Sequence, residues 1–173
     1  MSFSPTQLST LKTHLTGDST LNSMAQNGDY QGVANAYNAA ASPDFIVWKT
    51  KLLKHELTDE TSSTGTTFTW GGATGGYISR SQGERDAWRE IWNSKLSVNP
   101  SLANVRTAID DIFSGSGAGA QNNRAHFTAM AKRKATLAEK VLKASGTGSD
   151  ASPAILGFEG VMEPGDVGAI LDA

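Results

Sequence analysis

Three histidines, His14, His55 and His126, are the side chains best suited to acid–base work or metal ligation near neutral pH, and they stand far apart in a chain of 173 residues. None falls in an HExxH or other paired-ligand spacing, and without cysteine a metal site would need distant carboxylates to converge on one of them. His55 followed by Glu56 is the single local hint. The adjacent acidic residues Asp59 with Glu60, and Asp110 with Asp111, point apart on a helix and read as solvated surface charge. No serine sits in a GxSxG elbow. The SGSGAG run at residues 114–119 imitates a phosphate cradle, but it follows a helical pattern instead of a strand, and the chain holds no GK[ST]. These residues point away from an enzyme, and neither a cofactor nor a metal is expected. Lys132, Arg133 and Lys134 form a candidate basic patch with two readings. One is a solvated helix face; the other is contact with DNA phosphate or an acidic protein surface.

The elements that position these residues are mostly helical. The densest signals lie in residues 81–113. Ser81 with Glu84 three residues later fits a capping box, and Trp88, Ile91 and Trp92 then share one side of the helix it opens. Asn99 before Pro100 reads as a second helix start, followed by Leu102, Val105, Ile109 and Ile112 at helical spacing. A turn over residues 97–99 would join the two as an antiparallel pair, the expected core. Upstream, Ser4 before Pro5 opens a helix with Leu8, Leu11 and Leu15 on one stripe, which Gly17 ends. Asp18 caps a second short helix with Leu21 and Met24. Asn27 before Gly28 marks a turn, and Tyr30, Val33, Ala34 and Tyr37 line a third helix. Such short helices are unstable alone and must dock on something larger. The apolar run Phe45, Ile46, Val47, Trp48 suits a buried helical turn or a short strand; Leu52, Leu53 and Leu57 beyond it favour helix.

Two stretches are left over. In residues 66–79, Phe68, Trp70, Tyr77 and Ile78 flank a glycine-rich tip, as in a β-hairpin or an open loop. After a connector at residues 113–123, a long helix is expected over about residues 123–144, with Lys132, Arg133 and Lys134 on its outer faces. Beyond it, residues 146–173 alternate glycine, small residues and isolated hydrophobes, among them Ile155, Leu156, Phe158 and Val161. A tail this apolar should dock on its own domain or on a neighbour. The expected fold is therefore mainly α: a compact helix bundle with one β-hairpin or extended loop, and an extended C-terminal tail. The expected division is a helical domain at 1–145, with the insertion at about 66–79, and an arm at 146–173. Phe68, Trp70, Tyr77, Ile155, Leu156, Phe158 and Val161 are the candidate interface residues.

Totals narrow the class further. Eighteen glycines and a charged fraction of 18% leave room for weakly structured pieces around a real core. Lys and Arg number 15 against 17 Asp and Glu, a formal net charge of −2, so the chain as a whole is no polyanion binder. The opening residues MSFSPTQLSTLK lack a hydrophobic run, and no apolar segment approaches membrane length, so a soluble protein with no membrane partner is expected.

Several pieces together resemble small structural proteins of tailed bacteriophages, the head-to-tail connector or adaptor family. They are SPDFIVWKT at 42–50, FTW at 68–70, NPSLANVRTAIDDIFSGSG at 99–117, RKATLAEKVL at 133–142 and GTGSDASPAILGFEG at 146–160. The resemblance runs from about residue 42 to the C-terminus and carries no known chemical role. It implies a mostly helical virion protein assembled in the host cytoplasm and located in the neck. Copies of it would form a cyclic ring, commonly twelvefold, seated beneath the portal protein and joined to a tail or nozzle protein. Genome DNA would pass through the channel, where the basic patch could make non-specific contact. Alternatives are another neck or tail-completion component, a capsid decoration subunit, or a host-directed binding module.

Overall fold

The computed structural model describes residues 3–93 and 96–173. Along the chain run α1 (Pro5–Gly17), α2 (Ser19–Gln26), α3 (Tyr30–Asn38), β1 (Ile46–Trp48), β2 (Leu52–Leu53) and α4 (Lys54–Asp59), then a 3-10 turn at Tyr77–Ser79. They are followed by α5 (Gln82–Asn93), β3 (Ser97–Val98), α6 (Ala103–Ile112), α7 (Ala118–Met130), β4 (Lys132–Lys134), α8 (Leu137–Val141), β5 (Lys143–Ser145), β6 (Ile155–Leu156) and α9 (Pro164–Asp172). The chain is mainly α with small antiparallel sheets. It divides into two compact units, one built from the residues up to Val47 and from Lys134 onward, the other from Trp48–Arg133.

In the first unit the expected helix starts are present. Ser4 caps α1 in a reciprocal box with Gln7, with Pro5 in the first turn, and the Asp18 carboxylate accepts from the Thr20 and Leu21 amides to open α2. Gly28, at φ 75°, makes the turn into α3, a backbone conformation that costs other residues more. Helices α1 and α3 dock on α9, and α2 packs against α1 and α3. Val167 and Ile170 of α9 are fully buried in one cluster with Leu11, Leu15, Val33 and Tyr37. Two further contacts hold the C-terminal stretch to the helices. The Asn38 amide donates to the Met162 carbonyl at 2.9 Å and accepts from its N–H at 2.8 Å. Lys12 places its ammonium 2.9 Å from the Leu171 carbonyl, where a cation complements the helix dipole. Residues 146–173 are therefore no separate arm. They supply part of this unit's core, because Met162, Val167 and Ile170 cover apolar surface that α1–α3 cannot cover for one another.

The expected long helix over 123–144 is interrupted. Helix α7 ends at Met130, Lys132–Lys134 is extended, and Thr136 with Glu139 forms a new capping box that starts α8. The basic triplet thus lies on a strand.

In the second unit α5 packs on α6, as expected of the central pair. The Ser81–Glu84 box is formed: the Glu84 carboxylate accepts from the Ser81 N–H at 2.7 Å, and the Ser81 hydroxyl accepts from the Glu84 N–H at 3.3 Å. The link between the helices differs from a turn. Ser97–Val98 is strand β3 and pairs antiparallel with Leu52–Leu53, so Leu52 and Leu53 are extended where helix was expected. Asn99 does not cap α6 either. Its side chain accepts from the Ser101 N–H and hydroxyl at 3.0 and 2.6 Å, an Asx turn that delays the helix to Ala103 and leaves Leu102 exposed.

Residues 66–79 form the loop alternative to a hairpin. Two main-chain bonds join its limbs, Tyr77 N–H to the Thr69 carbonyl and Ile78 N–H to the Trp70 carbonyl. The return limb is nevertheless a 3-10 turn, because the outgoing limb already spends its polar groups on α7. The buried Asn123 side chain accepts from the Thr69 N–H at 2.7 Å and donates to the Thr69 carbonyl at 3.1 Å, while Asn122 donates to the Thr67 carbonyl at 2.7 Å. The connector before α7 is tightly packed. A Cβ on Gly119 would lie 2.5 Å from the Gly76 nitrogen, and one on Gly117 would lie 2.5 Å from the Thr74 carbonyl oxygen. Glycine here permits close backbone approach, not flexibility.

Candidate interaction surface

The second unit is built around a column of aromatic rings. Phe113, Trp88 and Trp92 sit at its base, with Trp88 centred 5.4 Å from Phe113 and 5.6 Å from Trp92. Phe68 stacks on Trp88 at 5.2 Å, and Trp70 meets both Phe68 at 4.8 Å and Tyr77 at 5.3 Å edge-on. Helix α5 places Trp88 and Trp92 because they fall four residues apart on its apolar face; the α7 amides place Phe68 and Trp70 by clamping the backbone between them. The column starts in the core and ends at the surface. Phe68 and Trp88 are buried, whereas Trp70 is 43% exposed and Ile78 beside it is 66% exposed.

Arginines frame this loop. Arg80 donates to Glu84 and to the Ile112 and Ser114 carbonyls, and Arg124 donates to the Phe113 and Gly115 carbonyls. Both guanidiniums therefore close the C-terminal end of α6, where unpaired carbonyls and the dipole favour a cation. The Ser81 hydroxyl and N–H, with the Arg80 cation beside them, hold the Glu84 carboxyl below the usual carboxylate range. Arg85 donates instead to the Ile78 carbonyl at 2.9 Å and to the Gln82 side chain at 2.9 Å, which puts its charge next to the exposed pair.

Of the other expected interface residues, Phe158 is buried against Phe3 at 4.9 Å, Ile155 and Leu156 are half-buried, and Val161 is 60% exposed. Trp70 and Val161 are thus the two of the seven that remain open. Ile78 and Arg85 were not among the expected interface residues; Arg85 stands three and seven residues before Trp88 and Trp92, at the edge of the same face of α5. Lys134 pairs with Asp44 at 2.7 Å, both well exposed. Lys132 and Arg133 share its strand.

Of the residues suited to acid–base work, His126, His14 and Glu56 make structural hydrogen bonds, while His55 is exposed on α4. His126 is fully buried, bonded through Nε2 to the Leu57 carbonyl at 2.8 Å and through Nδ1 to the Thr66 hydroxyl at 3.1 Å. His14 Nδ1 lies 3.1 Å from the Tyr37 hydroxyl, whose pKa burial pushes upward, with the Asp18 carboxylate adding to the effect. Glu56 accepts from the Leu53 N–H at 2.9 Å. Among the described residues no group of three His, Asp or Glu is placed to hold a metal ion, and no helix is long and apolar enough to cross a membrane. A groove of about 380 Å³ on the second unit is lined by Ile91, Val98, Leu102, Val105 and three polar uncharged residues, so it offers no acid, base or charged anchor. Comparison with protein-family models, with curated proteins and with solved structures returns no match.

Proposed function

We propose that the chain is a non-enzymatic virion structural protein of a tailed bacteriophage, the head-to-tail adaptor that forms a ring under the portal and joins capsid to tail. The observation that supports it best is Trp70, a large aromatic held open to solvent by a rigid column of buried rings. Ordering such a side chain in advance removes the entropy cost of fixing it on binding, and exposed Trp beside Arg is the composition of a protein-binding anchor. The phage context comes from the sequence pieces between about residue 42 and the C-terminus. Under this reading the partners are further copies of the chain, twelve in the commonest ring, with the portal protein on one side and a tail or nozzle protein on the other. Lys132, Arg133 and Lys134 would meet acidic neighbours or, non-specifically, genome DNA in the channel.

A second reading has one observation in its favour. The first unit buries Met162, Val167 and Ile170 in its own core, which leaves no long arm to lend to a neighbour and suits a self-contained neck, tail-completion, decoration or host-directed module. Imaging of the native particle at a resolution that separates neck, tail tube and shell decides between them. Density for the chain between portal and tail is expected; density on the capsid surface, or none in the particle, would overturn the adaptor assignment.

A further inference from the structure

Among the exposed apolar residues, two sites differ in electrostatic character. On the second unit, Trp70 and Ile78 stand open with the Arg85 guanidinium fixed beside them. Both acceptors of Arg85 are neutral, whereas Arg80 and Arg89 on the same helical stretch are paired with Glu84 and Asp86 at 3.2 and 3.0 Å. Arg85 therefore keeps its charge available at the edge of an apolar surface. On the first unit, Val161 is exposed between the exposed residues Glu159 and Glu163, while Met162 turns inward to 1% exposure. The pair of hydrogen bonds between the Asn38 side chain and the Met162 backbone fixes this turn, so Val161 is presented on an ordered main chain. Among the described residues no ion pair holds Glu163.

We propose that these two surfaces meet between copies of the chain: Val161 of one molecule packs on Trp70 and Ile78 of the next, with Glu163 facing Arg85. The inference rests on the assembly-subunit reading above and names the contact through which copies would join. An apolar centre with opposite charges at its margin is the arrangement that excludes water while fixing orientation. Since the two patches differ, the contact is heterologous, and a heterologous contact repeats around a ring or along a filament instead of stopping at a dimer.

The chain has no cysteine, so single cysteines report the contact without background. Ile78→Cys protein mixed with Val161→Cys protein should form a disulfide-linked heterodimer under mild oxidation. The yield should be about tenfold above a control pair in which Ser9→Cys, on the exposed side of α1, replaces Val161→Cys. Adding Arg85→Glu to the first protein, or Glu163→Arg to the second, should lower that yield by about tenfold, and combining the two reversed charges should restore it. Ser9, Ile78, Val161 and Glu163 are exposed and Arg85 is half-buried, and circular dichroism checks that each variant folds. A yield equal to the control, in concentrated solution and with portal present, overturns the pairing. If portal binding persists without the cross-link, the pairing is wrong and the adaptor reading stands; cross-linking without any portal binding upholds the pairing and removes the adaptor reading. Loss of portal binding in Trp70→Ala with no cross-link would give the patch to a different partner and likewise overturn the pairing.

Discussion

At the scale of single residues, the unit that presents Trp70 depends on side chains substituting for a strand partner. Asn123 is the strongest case, since it is buried and satisfies both main-chain groups of Thr69. Asn123→Ala would leave the Thr69 carbonyl with its bond from Tyr77 but orphan the Thr69 N–H. An unsatisfied buried donor costs about 1–3 kcal/mol. Urea denaturation should show a loss of that order, with faster amide exchange in residues 66–79 first; unchanged exchange there would mean the clamp is dispensable. Glu84 makes a prediction with a sign. Its carboxyl is held below the ordinary range in the folded state, so its contribution is present above the unfolded pKa of about 4.3 and is lost as pH falls through the lower folded value. Glu84→Gln should therefore melt below the natural chain at pH 7, and the gap should close on acidification to below about pH 4. A gap independent of pH would show that charge plays no part in the cap. Neither role of the α7 amides was legible in the sequence, because a side-chain bond to a distant main chain leaves no periodicity. The Ser81–Glu84 box was legible, because its two partners lie one helical turn apart.

At the scale of elements, helix starts read correctly wherever a local cap defines them, as at Ser4, Asp18 and Ser81. Two of the misreadings have separable reasons. The stretch over 123–144 holds no glycine or proline and so reads as one helix, although Thr136 with Glu139 three residues on carries the signature of a fresh helix start just after the extended Lys132–Lys134. The glycine runs at 71–76 and 114–119 have the composition of flexible linkers, yet they press backbone to backbone, and close approach is a property of the partner, not of the run. Trp88 tests the central element. It is buried and touches Phe68, Trp92 and Phe113, so Trp88→Ala should cost about 3–5 kcal/mol in chemical denaturation. A near-neutral result would show that the column does not support the unit. The C-terminal stretch gives the sharper contrast. A detachable arm could be deleted without cost, but removal of residues 152–173 takes Met162, Val167 and Ile170 out of the core. The truncated chain should lose more helical circular dichroism than the nine residues of α9 account for, with α1–α3 unprotected in hydrogen exchange. Protected α1–α3 amides would restore the arm.

At the scale of the whole molecule, two compact units each have their own core, and the large hydrophobic residues left exposed among the described residues are few: Trp70, Ile78, Leu96 and Leu102 on one, Tyr30 and Val161 on the other. The mainly helical class was readable from stripes and caps. The division into units was not, because the first is assembled from both ends of the chain and its core contacts span most of the sequence. The central claim is that the exposed tryptophan serves assembly. Under the adaptor proposal, native mass spectrometry of the purified chain with a portal ring tests it most directly. Multiple copies per portal are expected with the natural chain, with occupancy falling at least about tenfold for Trp70→Ala, in line with the loss of an anchor residue. Portal rings that stay bare at saturating subunit, or that fill equally with Trp70→Ala, would contradict it.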